Sequence, residues 1–516
     1  MKKITLALVL IISTLIILTG SSKLWAKTKP AGKVILGYSG DSFGGAIGGD
    51  FSYIKWLHPW MHALAEPLFI KDENAKIGPG LAESWEIAAD SLSIKMKLRK
   101  DTTFHDGTPI TAHDVKFSTE RHANKKYKMV YSVELRKKVK NVEVIDDHNL
   151  IFHFNEDYNA FWDRFFEYFL VVPKKYIEKV GDEEYAKNPM GAGPYKWVGF
   201  KQDVWVEMEA FENHYRHVPE IKTWRMIYVP ENSTRLAMLK TGEADMITPG
   251  AVHLNEIRAN KDFRLVYAKN TRIVNLAFGD LVRPGKWPLQ DRKVRMAVSH
   301  AIDRKTITEV ILQGVAKPAD SFLAPWHAGW DAIKAKPASY DPEKSKALLK
   351  EAGYPNGFDT QITITQASKR WMEAVISYLA QVGIKAKINI LEQGAYTDYC
   401  FSKKTEGMIV RDAWWNSRAH PTTPIDAQLT LKAPWSCGIT TKRVSDIMEE
   451  VGTLGISHPD LAKKAREMDD VIFEDMPRVN LWSLSTVIAL GPRIESYQPI
   501  NGFVIPTRME FIKLKK

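Results

Sequence analysis

The chain has 516 residues, 45% hydrophobic and 26% charged, with a formal charge of +11 and two cysteines. The positive excess is spread among 61 acidic residues, and its clusters, such as Arg136-Lys137-Lys138 and Lys513, Lys515 and Lys516, are short. Such clusters are a solvated face rather than a phosphate track, so no nucleic-acid partner is expected.

The chain begins with a basic start, Met1-Lys2-Lys3, an apolar run from Ile4 to Leu18 and a polar close at Leu24-Trp25-Ala26. This pattern predicts an export signal over residues 1–26, cleaved after Ala26. The run is shorter than the roughly 20 residues a membrane-spanning helix needs; an uncleaved anchor is the alternative. No cysteine stands near the cleavage site, so a periplasmic protein that is not a lipoprotein is expected. A chain this long exceeds the roughly 250 to 300 residues at which single cores stop growing, which predicts two or three domains.

Lys33 to Tyr38 reads as a strand, followed by a glycine-rich loop through Gly49. Within that loop Gly40-Asp41-Ser42-Phe43-Gly44 matches G-x-S-x-G, the nucleophile elbow of serine hydrolases. An elbow needs a helix directly after the serine, yet four glycines between Gly44 and Gly49 each cost about 1 kcal/mol of helix stability relative to alanine. The other GDS-type hydrolases place a D-x-x-H late in the chain, and none follows His458. A hydrolase using Ser42 is therefore the distant alternative.

Trp56 to Leu64 has helical apolar spacing, and His58 and His62 stand one turn apart. Two ligands without the glutamate of H-E-x-x-H make an incomplete metal site. Cys400 and Cys437 cannot complete a zinc site by themselves either, and spacing does not say whether they pair. No cofactor is implied. His105-Asp106-Gly107 is turn chemistry between a strand at Ser93 to Leu98 and a helix from Ala112 capped by Thr111. Gly191, Gly193 and Pro194 fix another turn. In "YDPEKSKALLKEAGY", Asp341 is the N-cap, Pro342 the first helical residue, Ala347, Leu348 and Ala352 the core stripe, and Gly353 the terminator. Thr360 to Thr365, Arg370 to Gln381 and Ile384 to Leu391 form a βαβ unit, which predicts α/β lobes.

Five stretches, in order along the chain, carry a resemblance. They are Leu81 to Arg121, "GAGPYKW" from Gly191, "LKTGEADMI" from Leu239, "VRMAVSHAIDR" from Val294 and "YDPEKSKALLKEAGYPNGF" from Tyr340. Together they resemble the family 5 extracellular solute-binding proteins, the receptors of bacterial ABC importers for oligopeptides, dipeptides and nickel. The resemblance implies an α/β bilobal periplasmic-binding-protein fold with an additional domain beside the first lobe. Domain I would comprise 33–65, 189–272 and 479–516, domain II 66–188 and domain III 273–478, with two crossings near 272 and 479 as the hinge. It also implies a monomeric receptor in the family's manner, serving an ABC permease and its ATPase, with a small-molecule or oligomeric solute as ligand and no enzymatic activity.

In the peptide-binding branch a stretch R-x-x-W-x-x-D-x-x-x-P supplies an aspartate for the peptide's amino terminus. "RDAWWNSRAHP", Arg411 to Pro421, matches at Arg411, Trp414 and Pro421 but has Ser417 at the aspartate position, followed by Arg418. A serine cannot give an ammonium a charge-assisted bond. Two readings stay open: a ligand anion gripped by Arg418 or Arg411, or Arg418 paired with a protein acid such as Asp412. The Trp414-Trp415 pair suits an aromatic wall or a sugar face. The expected ligand-binding residues are Trp414, Trp415, Arg411, Ser417, Arg418, His420, Phe43 and Ser42. The expected ligand is a peptide or peptide-sized compound, with an oligosaccharide, organic anion or metal chelate as alternatives.

Overall fold

The computed structural model describes residues 29–38, 59–72, 77–127, 132–155, 169–319, 321–331, 339–402, 404–414, 420–423, 425–431, 439–456, 458–503 and 506–516. The first predicted strand forms at Ala31–Tyr38 and buries Val34, Leu36 and Tyr38. It belongs to an 11-stranded sheet. Across that sheet the order is Ile384–Ile390, Phe358–Ile364, Met408–Trp414, Arg264–Phe278, Arg478–Leu490, Met246–Ile247, Ala31–Tyr38, Ile221–Tyr228, Trp205–Ala210 and Tyr195–Lys201; Ala316–Pro318 attaches to Arg478–Leu490. The βαβ unit forms as expected. Phe358–Ile364 and Ile384–Ile390 pair in parallel, joined by the helix Lys369–Gln381.

Three large cores gather most of the buried apolar residues among those described. One gathers around Trp224 and Tyr195, beneath the Ala31–Tyr38 side of the sheet. A second gathers around Phe278 and Trp482, with the βαβ unit. The third, around Phe104 and Phe152, belongs to a separate four-stranded sheet in the order Ala82–Ile87, Ser93–Leu98, Asn149–Phe154, Val139–Asp146. Among the described residues, the strands Arg264–Phe278 and Arg478–Leu490 run from the first core to the second, and they pair antiparallel from Arg264↔Leu490 to Ala277↔Arg478.

The helix Pro342–Glu351 starts as read, with the Asp341 carboxylate accepting from Lys344 N at 2.8 Å. Its buried face differs by position. Ala347 is exposed, whereas Ser345 and Leu349 are buried. Ser345 Oγ donates to Ala297 O at 2.8 Å, so a small hydroxyl side chain permits close approach of the helix Arg292–Ala301 and leaves nothing unsatisfied. Ranking positions by hydrophobicity selects alanine over serine and so rotates the stripe.

The signature turn has the chemistry expected of it. Asp106 Oδ1 accepts from Thr108 N and Oγ1 at 2.9 and 2.6 Å, and Asp114 Oδ2 accepts from Thr111 N and Oγ1 at 2.9 and 2.8 Å, opening the helix Ala112–Ala123. His105 then ties this turn to the second one. Its Nε2 donates to Gly193 O at 3.0 Å and its Nδ1 accepts from Gly191 N at 3.4 Å, a pattern that needs the neutral ring. Burial pulls the His105 pKa down to about 4, which keeps the ring in that form.

The second turn leaves no room for side chains. A Cβ on Gly191 would lie 2.2 Å from Leu64 O and one on Gly193 2.4 Å from Ala63 O, while Gly193 N donates to Leu64 O at 2.9 Å. Gly107, at φ +87°, has open space around its Cα. Gly191→Ala is therefore expected to cost ~3 kcal/mol or more through overpacking, and Gly107→Ala only ~1 to 2 kcal/mol through left-handed strain; urea denaturation of both variants checks the order.

His122 is 3% exposed, its ring edge-on to Phe169, with no hydrogen-bond partner for Nε2 among the described residues. Burial, aided by the neighbouring Arg121 charge, lowers its pKa to about 3. The unfolded chain takes up this proton near pH 6.5 and the folded chain does not, so the stability present above pH 6.5 drains away as pH falls toward 3. Roughly 3 kcal/mol should be lost between pH 7 and pH 4 on this account. His122→Phe should flatten that part of the stability-against-pH curve.

Candidate functional site

The long strand Arg478–Leu490 is buried at both ends and half-open in the middle. Along Arg478–Leu490, the residues from Arg478 to Trp482 and from Ile488 to Leu490 are buried, and Ser483 to Val487 are half-buried. This open stretch is the waist between the first two cores. The ladder breaks there: Ala268 pairs with Thr486 and Arg272 with Leu484, so Lys269, Asn270 and Thr271 face Ser485 alone. Asn270 takes a left-handed φ of +53°, and Ser483 Oγ donates to its Oδ1 at 3.1 Å. Such a bulge bends the strand and removes ladder bonds at the one place where the sheet passes between cores.

Strand directions bring two more segments to this waist. Ala31–Tyr38 runs parallel to Met246–Ile247, which pairs antiparallel with Ala489 and Leu490, so Tyr38 is its waist end. Met408–Trp414 pairs antiparallel with Arg272–Phe278, and its last residue, Trp414, stands opposite Arg272. The glycine-rich loop and the Arg411 to Pro421 stretch thus both leave from carboxyl ends of strands beside a break in the sheet, where open α/β sheets place ligands. Ser42, Phe43, Trp415, Ser417 and Arg418 lie outside the described residues, as do Cys437 and His58.

Arg411 and Asp412 point to opposite faces of their strand. Arg411 Nη1 lies 3.0 Å from Cys400 Sγ, in the small core of Tyr396 and Ile409. Asp412 pairs with Arg272, at 3.3 Å. Burial raises the Asp412 pKa, and the Arg272 and Arg411 charges oppose that rise.

On the Arg411 face a buried network spans three strands. Arg478 Nη1 donates to Gln428 Oε1 at 2.6 Å and to Asn275 Oδ1 at 3.3 Å, its Nη2 donates to Gln428 O at 2.9 Å, and Gln428 Nε2 donates to Asp412 O. Arg235 does similar work on the other side of the waist. It is fully buried, donating to Thr248 O at 2.6 Å, Val229 O at 2.5 Å and Pro230 O at 2.8 Å, the carbonyls just past two strand ends.

His420 corrects an expectation. Its ring is fully buried rather than on a ligand wall, with Nδ1 2.9 Å from Thr422 Oγ1 and Nε2 3.0 Å from Leu454 O. Both ring nitrogens are engaged within the protein, which makes it an anchor for the segment returning from the waist. A histidine followed by a proline and two threonines is also a local hydrogen-bonding turn, which is what forms. Arg272 and Asn270 were missed because one arginine in "NTRIVNLAF" has no motif around it, and a bulge has no pattern short of its pairing partner.

The remaining signature residues are structural. Asp245, in the G-E-x-D motif, accepts from Ile35 N and from Arg493 Nη1, each at 2.9 Å. Arg295 donates to Met476 O at 2.8 Å and Asp475 O at 2.7 Å, and Arg304 to Asn480 O at 2.9 Å, fastening the "VRMAVSHAIDR" segment to the start of a waist strand. Glu66 is buried beside a cavity of about 70 Å³ that is also lined by Ile500 and Phe503, on either side of the Asn501–Gly502 turn bonded to Lys269. Burial would raise the Glu66 pKa, but Arg216, with help from His214 and Tyr215, holds it down at about 2. Among the described residues no group of three or more His, Cys, Asp or Glu could hold a metal ion, and no helix is long and apolar enough to cross a membrane.

Two cores joined by paired strands, with segments from both sides ending at a half-open waist, make a two-lobed α/β fold. Residues 76–433 match the model for bacterial extracellular solute-binding proteins, family 5, middle region, and the chain belongs to that family. Heme-binding protein A of Haemophilus influenzae is 31% identical over 346 residues, 61% of this chain; the chain spans 62% of that relative's length. The glutathione-binding protein GsiB of Shigella flexneri is 28% identical over 461 residues, covering 84% of this chain and 87% of that one. The ABC transporter substrate-binding protein CtaP from Listeria monocytogenes shares the fold, with a TM-score of 0.81 at 21% identity over 95% of this chain and all of its own.

If His420 anchors rather than binds, His420→Leu should lower stability by ~1 to 3 kcal/mol by orphaning Thr422 and Leu454 O. Ligand affinity, measured well below the melting temperature, should be unchanged.

Proposed function

We propose that this chain is the periplasmic substrate-binding subunit of an ABC importer. It takes a solute at the waist, closes its lobes over it and presents the closed form to the permease and its ATPase. Domain I is 33–65, 189–272 and 479–516, domain II is 66–188, and domain III is 273–478. The three cores and the waist between Ala268 and Arg272 support that division. The single observation that carries the reading is the pair of long strands shared by two cores and bulged at Asn270, since only such a connection lets two packed bodies move while staying hydrogen-bonded.

A peptide or peptide-sized compound is the ligand favoured, consistent with a glutathione-binding relative. Heme-binding protein A keeps a larger, planar ligand as the second reading, supported here by the Trp414-Trp415 pair. The chain acts as a monomer, exported by a cleaved signal at residues 1–26, and performs no catalysis.

Native mass spectrometry of protein freshly released from the periplasm should show a co-purified ligand, and adding it back to stripped protein should raise the melting temperature in proportion to the logarithm of its concentration. Purified protein should hydrolyse activated esters no faster than its Ser42→Ala variant. A Ser42-dependent rate well above background would replace the receptor reading with the hydrolase one.

A further inference from the structure

The first lobe touches the second core at a place other than the crossing strands. The short helix Leu254–Ala259 follows the strand Met246–Ile247, and its two buried residues belong to different cores. Ile257 packs with Leu236, Leu239 and Ile247 of the first lobe. Leu254, only 1% exposed, packs into the second core, which also holds Leu312 and Val315. Beside this plug a single guanidinium gathers three elements. Arg258 Nη2 donates to Gln313 O at 2.7 Å and to Tyr267 Oη at 3.3 Å, and its Nη1 donates to Asn255 Oδ1 at 3.0 Å. Asn255 N in turn donates to Gln313 Oε1 at 3.3 Å. Tyr267 is on the strand Arg264–Phe278, two residues before the unpaired stretch, so the joint stands at the break in the ladder. Gln313 follows a π-helical turn at Ile307–Ile311 and takes a left-handed φ of +49°, with Gly314 at +76°. A glutamine keeps that conformation where its surroundings fix it.

We propose that this joint is a third connection between the lobes, a guide that stays made as they move and confines closure to one path. The proposal rests on the receptor reading, because it needs lobes that move. Two neighbouring strands, unpaired over one stretch, can both bend and twist there. A third contact lying off the strand pair removes one of those freedoms, since attachment at a separate point opposes the twist and leaves the bend. Leu254 makes the contact durable, because withdrawing it from the second core would return a leucine's apolar surface to water. Arg258 sets its direction, by tying the helix, the crossing strand and the Gln313 turn to one rigid planar group. The consequence falls on binding. Lobes confined to one path lose less conformational freedom when a ligand fixes them, so the guide raises affinity without touching the ligand.

Pulsed electron paramagnetic resonance on the full mature chain, labelled at Glu243→Cys and Lys387→Cys, reads the guide with no ligand present; both positions are exposed. In stripped protein, Arg258→Ala should broaden the distance distribution and Arg258→Lys should broaden it less. Gln313→Gly, which keeps the left-handed turn and removes the acceptor for Asn255 N, should broaden it too. Glu256→Gln, which removes an ion pair to Lys240 within the first lobe, should leave it as in the wild type. Titrated with the small-molecule extract of the freshly purified protein, Arg258→Ala should need roughly threefold to tenfold more extract for half-maximal collapse and should reach the same final distribution. All readings are taken well below each variant's melting temperature. An unchanged or narrower distribution in stripped Arg258→Ala would overturn the guide. If the wild type still collapses with the extract in that case, the receptor reading stands and only the guide falls; a wild type that does not respond to the extract counts against the receptor reading, while the width in stripped Arg258→Ala still decides the guide.

Discussion

Two hydrogen-bonded strands, Arg264–Phe278 and Arg478–Leu490, are the constraint on which the rest of the structure depends. An antiparallel ladder resists stretching and shear because each residue's backbone groups are paired across it. It yields readily only where pairs are missing. Here they are missing over Lys269 to Thr271, and the asparagine in that gap adopts a left-handed conformation that asparagine tolerates better than most residues. The ladder between the first two cores is thus interrupted over three residues, where Lys269 bonds instead to Asn501 Oδ1 and Gly502 N, and Thr271 Oγ1 donates to Leu484 O.

Buried guanidinium groups do most of the fixing. Arg235, Arg295, Arg304 and Arg478 lie almost wholly out of solvent and donate chiefly to main-chain carbonyls at strand ends and loop entries. A planar fork with five donors can satisfy several carbonyls that no helix or strand claims, a task lysine cannot reproduce. Desolvation is felt at Arg295, where burial lowers the pKa to about 10, still well above neutrality. Two of them, Arg295 and Arg304, belong to the "VRMAVSHAIDR" segment that helps make the family recognisable. What the resemblance detects is therefore the frame that carries the cleft, and a frame can be shared by receptors for quite different solutes.

That distinction explains what was legible in the sequence. The Asp341 cap, the Asp106 turn, the Thr111 helix start and the βαβ unit were readable because each depends on neighbours within a few residues. Gly191 and Gly193 were readable as a turn, but not as the point where two backbones touch. Ala347 was misplaced because a serine can be the better core residue when a carbonyl faces it. His420 and Arg411 were expected to bind ligand; the contacts they make within the protein, His420 with Leu454 O and Arg411 with Cys400 Sγ, come from residues that no local pattern places there. The Arg272–Asp412 pair joins residues 140 apart in the chain, and no local pattern announces it. Sequence periodicity reports which face a residue takes; it does not report what arrives opposite from elsewhere in the chain.

The central claim is that the two lobes move about the bulge and that ligand holds them together. Pulsed electron paramagnetic resonance between spin labels at Glu243→Cys, in the first lobe, and Lys387→Cys, in the βαβ unit, tests it most directly, since both positions are exposed and lie on opposite sides of the waist. A broad, longer distance distribution in stripped protein should collapse to a narrow, shorter one when the co-purified ligand is restored. An identical distribution with and without ligand would contradict the account.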